Sequence, residues 1–88
     1  MKILKFGAVW CPSCLVMRPR WEKIERENEW LNTEYFDIDE FPEMIERYDL
    51  KEYPTFIFLD KDKKEIERKQ GEISEKDLLD LINNCKDK

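Results

Sequence analysis

The sequence contains no histidine, only three cysteines and no long uninterrupted hydrophobic run. A structural zinc site needs about four ligands, and an iron–sulfur cluster needs a similar set of cysteines. With no histidine available, three cysteines cannot supply either site. The sequence therefore predicts no bound metal.

Targeting and membrane signals are also missing. Lys5 interrupts the apolar residues near the N-terminus, whereas a signal peptide needs about 7–15 apolar residues after its basic start. No stretch approaches the roughly 20 apolar residues of a membrane span. The net charge of −5 argues against nucleic acid or an anionic membrane as a partner. We therefore expect a cytoplasmic monomer, in a compartment where cysteines stay reduced.

The 88 residues are enough for one domain, spanning residues 1–88. Hydrophobic residues make up 41% of the chain, which is enough for a core without a metal or a disulfide. Charged residues make up 42%, but their signs are interleaved, as on a solvated surface. We find no repeats, linkers or low-complexity segments.

Hydrophobic patterning predicts the order βαβαββα. The predicted strands cover residues 3–8, 35–39, 55–59 and 65–70, and the predicted helices begin after Cys11, at Pro42 and after Ser74. The first strand–helix–strand unit should be a right-handed parallel crossover, and the last two strands should form a hairpin. The strand at 65–70 is so charged that it should lie at a sheet edge. The expected fold is α/β, with a four-stranded mixed sheet flanked by helices.

Helical spacing also predicts which side chains face inward. On the first helix these are Cys14, Met17, Trp21 and Ile24, with Pro19 kinking the helix. On the second helix they are Met44, Ile45 and Tyr48, and on the third Leu78, Ile82 and Cys85. The position of Cys85 on this apolar face favours a buried packing role over a redox role.

Cys11 and Cys14 form the most informative motif, because a predicted strand precedes the pair and a helix begins with it. Free backbone N–H groups and the helix dipole at such a position favour a thiolate, which is the reactive form of cysteine. Two intervening residues let the second thiol reach the first sulfur. Cys11, nearest the helix start and flanked by exposed loop, is the predicted nucleophile, and Cys14 the predicted resolving thiol. Packing alone could explain Cys14 but not Cys11.

Further segments of the chain resemble the thioredoxin family. The run Phe6-Gly7-Ala8-Val9-Trp10-Cys11 is similar to the family's entry into its active site, and Pro19 matches its helix-kinking proline. The segments Asp37-Ile38-Asp39 and Tyr48-Asp49-Leu50-Lys51-Glu52-Tyr53-Pro54-Thr55, with Gly71, resemble later parts of the family pattern. The resemblance covers nearly the whole chain and implies a thioredoxin-like fold without the family's first strand and helix.

The resemblance also implies a substrate-binding surface. Pro54 should be cis and lie beside the cysteines, where the backbone of Tyr53 could pair with an extended substrate segment. Trp10 and Pro12 should shape the same surface. The implied partners are disulfide-containing proteins and an upstream reductase, with a thioredoxin reductase favoured over glutathione.

Two positions depart from the family pattern. Thioredoxins usually place Gly then Pro between the cysteines, whereas Pro12-Ser13 resembles the glutaredoxin order. The family's buried acidic residue aligns with Lys5, and its lysine companion aligns with Tyr35. Lys5 could extend to water, or its ammonium could lie near the cysteines and favour their thiolates. Tyr35 is most simply a strand residue, with a proton-relay role as the alternative.

We therefore predict a thiol–disulfide oxidoreductase that reduces protein disulfides through Cys11 and Cys14. We expect no bound cofactor, because the sulfurs carry the electrons. Two alternatives remain open at this point. One is a glutaredoxin-type enzyme that uses glutathione; the other is a non-catalytic adaptor that binds peptides at the surface around Pro54.

Overall fold

The computed structural model describes residues Met1–Lys88 and confirms the predicted order of four strands and three helices. The strands are β1 (Lys2–Gly7), β2 (Asn32–Asp37), β3 (Thr55–Leu59) and β4 (Glu65–Gln70). The helices are α1 (Pro12–Glu27), α2 (Glu43–Arg47) and α3 (Glu75–Cys85). None of the three has the length and apolar character needed to cross a membrane.

The strands form one mixed sheet in the order β2-β1-β3-β4. β1 pairs with β2 in parallel and with β3 antiparallel, and β3 and β4 form the predicted antiparallel pair. The charged strand β4 lies at a sheet edge, as its composition predicts. Lys5 is paired with Tyr35 on one side and with Phe56 on the other, so these three side chains share one face of the sheet.

Local sequence explains where the two longer helices begin. Cys11 is the N-cap of α1 and Pro12 occupies its first turn, where a missing backbone N–H costs little. Ser74 is the N-cap of α3, and its Oγ accepts a hydrogen bond of 3.1 Å from the backbone N–H of Asp77. Pro19 lies inside α1, and the helix continues past it to Glu27.

The alternation of side chains along the strands divides the core in two. One cluster joins the sheet to α1 and α3, and the other lies on the opposite face, where α2 covers the sheet. The first comprises Ile3, Met17, Trp21, Ile24, Phe56, Phe58, Leu78, Ile82 and Cys85; the second comprises Leu4, Phe6, Ile38, Leu50, Ile57 and Leu59. Cys85 is 5% exposed and packs in the first cluster, as predicted.

Three local predictions were wrong. β2 spans Asn32–Asp37 and not residues 35–39, because its polar side chains at a sheet edge give almost no hydrophobic alternation. Ile45 is 37% exposed, since the five residues of α2 cannot turn a full apolar face inward. Pro42 is the N-cap of α2 and not its first helical residue.

Candidate active site

Cys11 and Cys14 lie where the central strand β1 passes into α1. A hydrogen bond of 3.2 Å from the backbone N–H of Cys11 to the carbonyl of Ala8 closes the short loop between them. Cys11 then caps the helix, and Cys14 falls in its first turn. The chain thus brings both thiols to the N-terminal end of α1, and all three cysteines are free thiols.

The Cys11 sulfur is held by the helix start. It accepts a hydrogen bond of 3.2 Å from the backbone N–H of Cys14, one of the N–H groups at the helix start that lack a partner within the helix. The aligned peptide dipoles of α1 place positive potential at the same point. Both effects favour negative charge on Cys11.

Cys14 is in a different electrostatic situation. Burial raises the pKa of its thiol to about 12, and a side-chain hydrogen bond to Cys11 and the charge on that sulfur act in the same direction. A thiol with this pKa keeps its proton at neutral pH. The two sulfurs are therefore chemically unequal, although only two residues separate them.

Cys11 is buried, although the loop that flanks it is exposed as predicted. Its neighbours Val9 and Trp10 are 67% and 59% exposed, as expected of a loop, but Cys11 itself is only 5% exposed. Its backbone and side chain turn inward because both are hydrogen-bonded, to Ala8 and Cys14. Cys14 is half-buried.

The predicted substrate-binding residues surround the thiols. The indole N–H of Trp10 donates a 3.0 Å hydrogen bond to a carboxylate oxygen of Asp39, and its ring meets the edge of Tyr53 with centroids 6.0 Å apart. The Tyr53–Pro54 peptide bond is cis, as the resemblance implies. The backbone N–H and carbonyl of Tyr53 make no hydrogen bond within the chain. Pro12, also exposed, follows Cys11 directly.

A cavity of about 230 Å³ lies behind Cys14, between α1 and the sheet. We call it the α1 cavity; its lining includes Lys5, Gly7, Cys14, Trp21, Glu25 and Tyr35. Tyr35 borders it from β2, and Pro54 from the loop before β3. The cavity connects the resolving thiol to the polar side chains on this face of the sheet.

Of the two positions expected from sequence for Lys5, the structure contradicts the extension to water. The Lys5 ammonium forms an ion pair with Glu25 of α1 and lies 5.5 Å from the centroid of the Trp21 ring. The Lys5 side chain is only 14% exposed, so it does not extend to water. Thr33 donates a second hydrogen bond, of 2.9 Å, to the same Glu25 oxygen. The ammonium charge is thus held by α1.

Cys85 lies apart from the pair, in the core beneath α3. Burial raises the pKa of its thiol, which lowers its reactivity at neutral pH. No group of three or more histidine, cysteine, aspartate or glutamate side chains is placed to hold a metal ion.

Sequence reasoning missed three residues near the site. Glu25 pairs with Lys5. To find this pair from sequence, the helical spacing of α1 would have to be combined with the way α1 packs on β1. Asp39 holds Trp10, although the sequence shows it only within a resembling segment. Gly7 has no side chain, which keeps the space between Cys14 and Tyr35 open. In the sequence, only its position at the end of a central strand pointed to such a role.

Comparison with known proteins agrees with this geometry. The family model for Thioredoxin matches residues 1–84. Thioredoxin from Chlamydia trachomatis is 35% identical over 81 residues, which cover 92% of this chain and 78% of that protein. Thioredoxin H5 from rice, Oryza sativa subsp. japonica, is 35% identical over 69 residues; the match spans 78% of this chain but only half the length of the rice protein.

A solved structure shows the same relationship in three dimensions. The X-ray structure of Fasciola hepatica thioredoxin has a TM-score of 0.86 and 30% sequence identity, covering 96% of this chain and 79% of that one. The chain therefore belongs to the thioredoxin family of thiol–disulfide oxidoreductases.

Proposed function

We propose that this protein reduces disulfide bonds in other proteins, with Cys11 as the attacking thiol and Cys14 as the resolving thiol. The observation that carries the proposal is the inequality of the two sulfurs. The helix start favours negative charge on Cys11, whereas burial and Cys11 raise the pKa of Cys14 to about 12.

Protonation outweighs exposure in assigning the two roles. Cys14 is the more exposed residue of the pair, but a thiol attacks a disulfide only as its thiolate. A pKa raised to about 12 keeps the Cys14 thiol protonated at pH 7. Since the thiolate is the attacking species, Cys11 is the nucleophile.

The reaction proceeds in two exchanges. The Cys11 thiolate attacks one sulfur of the target disulfide, forms a mixed disulfide and releases the other target sulfur as a thiolate. Cys14 then loses its proton and attacks the Cys11 sulfur, which breaks the mixed disulfide and releases the second target thiolate. Two electrons pass to the target, and this protein ends with a Cys11–Cys14 disulfide. The sulfurs carry both electrons, so no bound cofactor takes part.

Features around the thiols support a polypeptide substrate. Trp10 is exposed and is held in place by Asp39, next to the ring of Tyr53. The unpaired backbone N–H and carbonyl of Tyr53 can bond to an extended segment, as in strand addition at a sheet edge. We propose that a target segment lies across Trp10, Pro12, Tyr53 and Pro54.

Insulin reduction tests this function. The wild-type protein should accelerate precipitation of the insulin B chain in dithiothreitol, and C11S and C14S should lose that acceleration. C85A provides the matched control, because it removes a cysteine outside the site. Wild-type protein that gives no acceleration would support the adaptor alternative instead.

We further propose that a thioredoxin reductase, and not glutathione, returns the protein to its dithiol form. A coupled assay that follows NADPH oxidation distinguishes the two donors. Turnover with a thioredoxin reductase is expected, whereas turnover only with glutathione and its reductase would favour the glutaredoxin-type alternative.

A further inference from the structure

Gly7, the last residue of β1, leaves a narrow gap between two reactive side chains. A Cβ atom at this position would lie 3.0 Å from the Cys14 sulfur and 3.1 Å from the Tyr35 hydroxyl oxygen. Since both atoms border the same point, they are at most about 6 Å apart, which one water molecule or a small side-chain rotation can bridge. A side chain at position 7 would press on both atoms.

Strand register directs Tyr35 towards this gap. β1 and β2 are parallel, and Lys5 is paired with Tyr35, so the tyrosine points to the face covered by α1. Tyr35 is 46% exposed because β2 is an edge strand. Its hydroxyl end nevertheless reaches the backbone of Gly7, beside the α1 cavity.

The second exchange creates a need for a hydrogen-bond donor at this place. Cys14 must lose its proton in a half-buried position, where a sulfur anion is poorly solvated. Burial, the Asp37 carboxylate and the charges on the two cysteines all raise the pKa of Tyr35, although Arg18 opposes them. The hydroxyl therefore keeps its proton at neutral pH and is able to donate it in a hydrogen bond.

We propose that the Tyr35 hydroxyl, in the space left open by Gly7, donates a hydrogen bond to the Cys14 sulfur as that sulfur loses its proton and attacks the mixed disulfide. This inference rests on the proposed roles of Cys11 and Cys14. It gives Tyr35 a role in the second exchange only.

Two of the other charged groups around the α1 cavity are committed to each other. The cavity is also lined by Lys5, Arg18, Glu22 and Glu25. Lys5 and Glu25 neutralise each other in an ion pair, and Lys5 lies over Trp21. In the mixed disulfide the Cys11 sulfur is covalently bound and no longer carries a charge. The phenol is then the neutral donor next to Cys14.

Atoms and electrons balance without a further reactant. The Cys14 proton passes to solvent, and its sulfur forms a bond to the Cys11 sulfur. The bond between Cys11 and the target sulfur breaks, and the target thiolate leaves with the electron pair and takes a proton from solvent.

The expected effect of removing the hydroxyl follows from two opposing changes. Loss of one hydrogen bond to the anion should raise the Cys14 pKa by about one unit and reduce the thiolate about tenfold. The remaining thiolate is about threefold more nucleophilic, because nucleophilicity rises with pKa. The second exchange should therefore be about threefold slower in Y35F at neutral pH.

Alkylation of Cys14 alone tests the hydrogen bond directly. In C11S/C85A, Cys14 is the single cysteine, and the thiolate that raises its pKa is absent. Its rate of reaction with iodoacetamide is measured at pH 7 to 8, where the Tyr35 hydroxyl keeps its proton. Adding Y35F should lower this rate about threefold. Y48F is the matched control, since Tyr48 packs on the opposite face of the sheet.

A kinetic experiment places the effect in the second exchange. In a C85A background, mixing the reduced protein with 5,5′-dithiobis(2-nitrobenzoate) releases one chromophore when Cys11 attacks and a second when Cys14 resolves. Y35F should slow the second release about threefold and leave the first unchanged, and Y48F should match the parent protein. G7A should slow the second release as well, because its methyl group fills the gap.

The outcomes separate this inference from the proposed function. An unchanged rate of Cys14 alkylation, or an unchanged second release, in Y35F would overturn the role of Tyr35. A parent protein that shows no second release at all would instead overturn the assignment of Cys14 as the resolving thiol.

Discussion

Replacing Glu25 by glutamine removes the carboxylate that holds the Lys5 ammonium between α1 and the sheet. The Lys5 side chain is 14% exposed and the Glu25 side chain 30% exposed. The glutamine keeps the size of the side chain and an oxygen that Thr33 can still reach. The variant therefore tests the charge of the pair and leaves its packing largely intact.

The expected cost follows from this partial burial. Removing one partner of a fully buried pair costs about 3–5 kcal/mol, and exposed pairs contribute about 0–1 kcal/mol. An ion pair between these limits should make E25Q less stable by about 2 kcal/mol. For a domain of this size, that corresponds to a fall in Tm of about 10 °C.

A double-mutant cycle with K5M isolates the interaction. K5M leaves a carboxylate that can turn towards water, so it should cost about 1 kcal/mol. The double variant K5M/E25Q should be less destabilised than the two single variants combined, with a coupling of about 2 kcal/mol in urea unfolding. An E25Q protein within about 0.5 kcal/mol of wild type would refute the reasoning, because Lys5 would then need no partner.

Two further predictions concern the thiols. The Pro12-Ser13 pair resembles the glutaredoxin order, so we predict a reduction potential less negative than the roughly −270 mV of thioredoxin, towards about −200 to −230 mV. Equilibration in a glutathione buffer, read by mass shift, measures it, and a value at or below −270 mV would contradict this prediction. Burial raises the pKa of the Cys85 thiol, so C85A should retain insulin turnover. Because Cys85 packs in the core, C85A should also lose about 1 kcal/mol of stability. A large loss of turnover at unchanged stability would instead give Cys85 a redox role.

The elements with strong local signals could be predicted from the sequence. The apolar run of β3, the helical spacing of Met17, Trp21 and Ile24, and the Ser74 cap all appear in the structure as expected. β2 could be placed only roughly, because an edge strand with one half-buried face shows little alternation. The local hydrophobic pattern therefore located the elements whose side chains are well buried, and it located β2 poorly because its side chains are only partly buried.

The site shows the same division between local and long-range information. The position of Cys11 and Cys14 at a helix start is a local feature, and sequence predicts it. The pairing of Lys5 with Glu25 and the approach of Tyr35 to Cys14 depend on how α1 crosses the sheet. Contacts of this kind join residues about 20 positions apart, and single-sequence periodicity carries no information on them.

The measurement that tests the central claim most directly is the order in which the thiols react. The reduced protein is treated briefly with iodoacetamide at pH 6 to 10, and the labelled cysteines are identified by mass spectrometry. Because the pKa of Cys14 is raised to about 12, its labelling should be negligible at neutral pH and rise about tenfold with each pH unit. Cys11 should be labelled first throughout the neutral range; labelling of Cys14 or Cys85 before Cys11 would contradict the account.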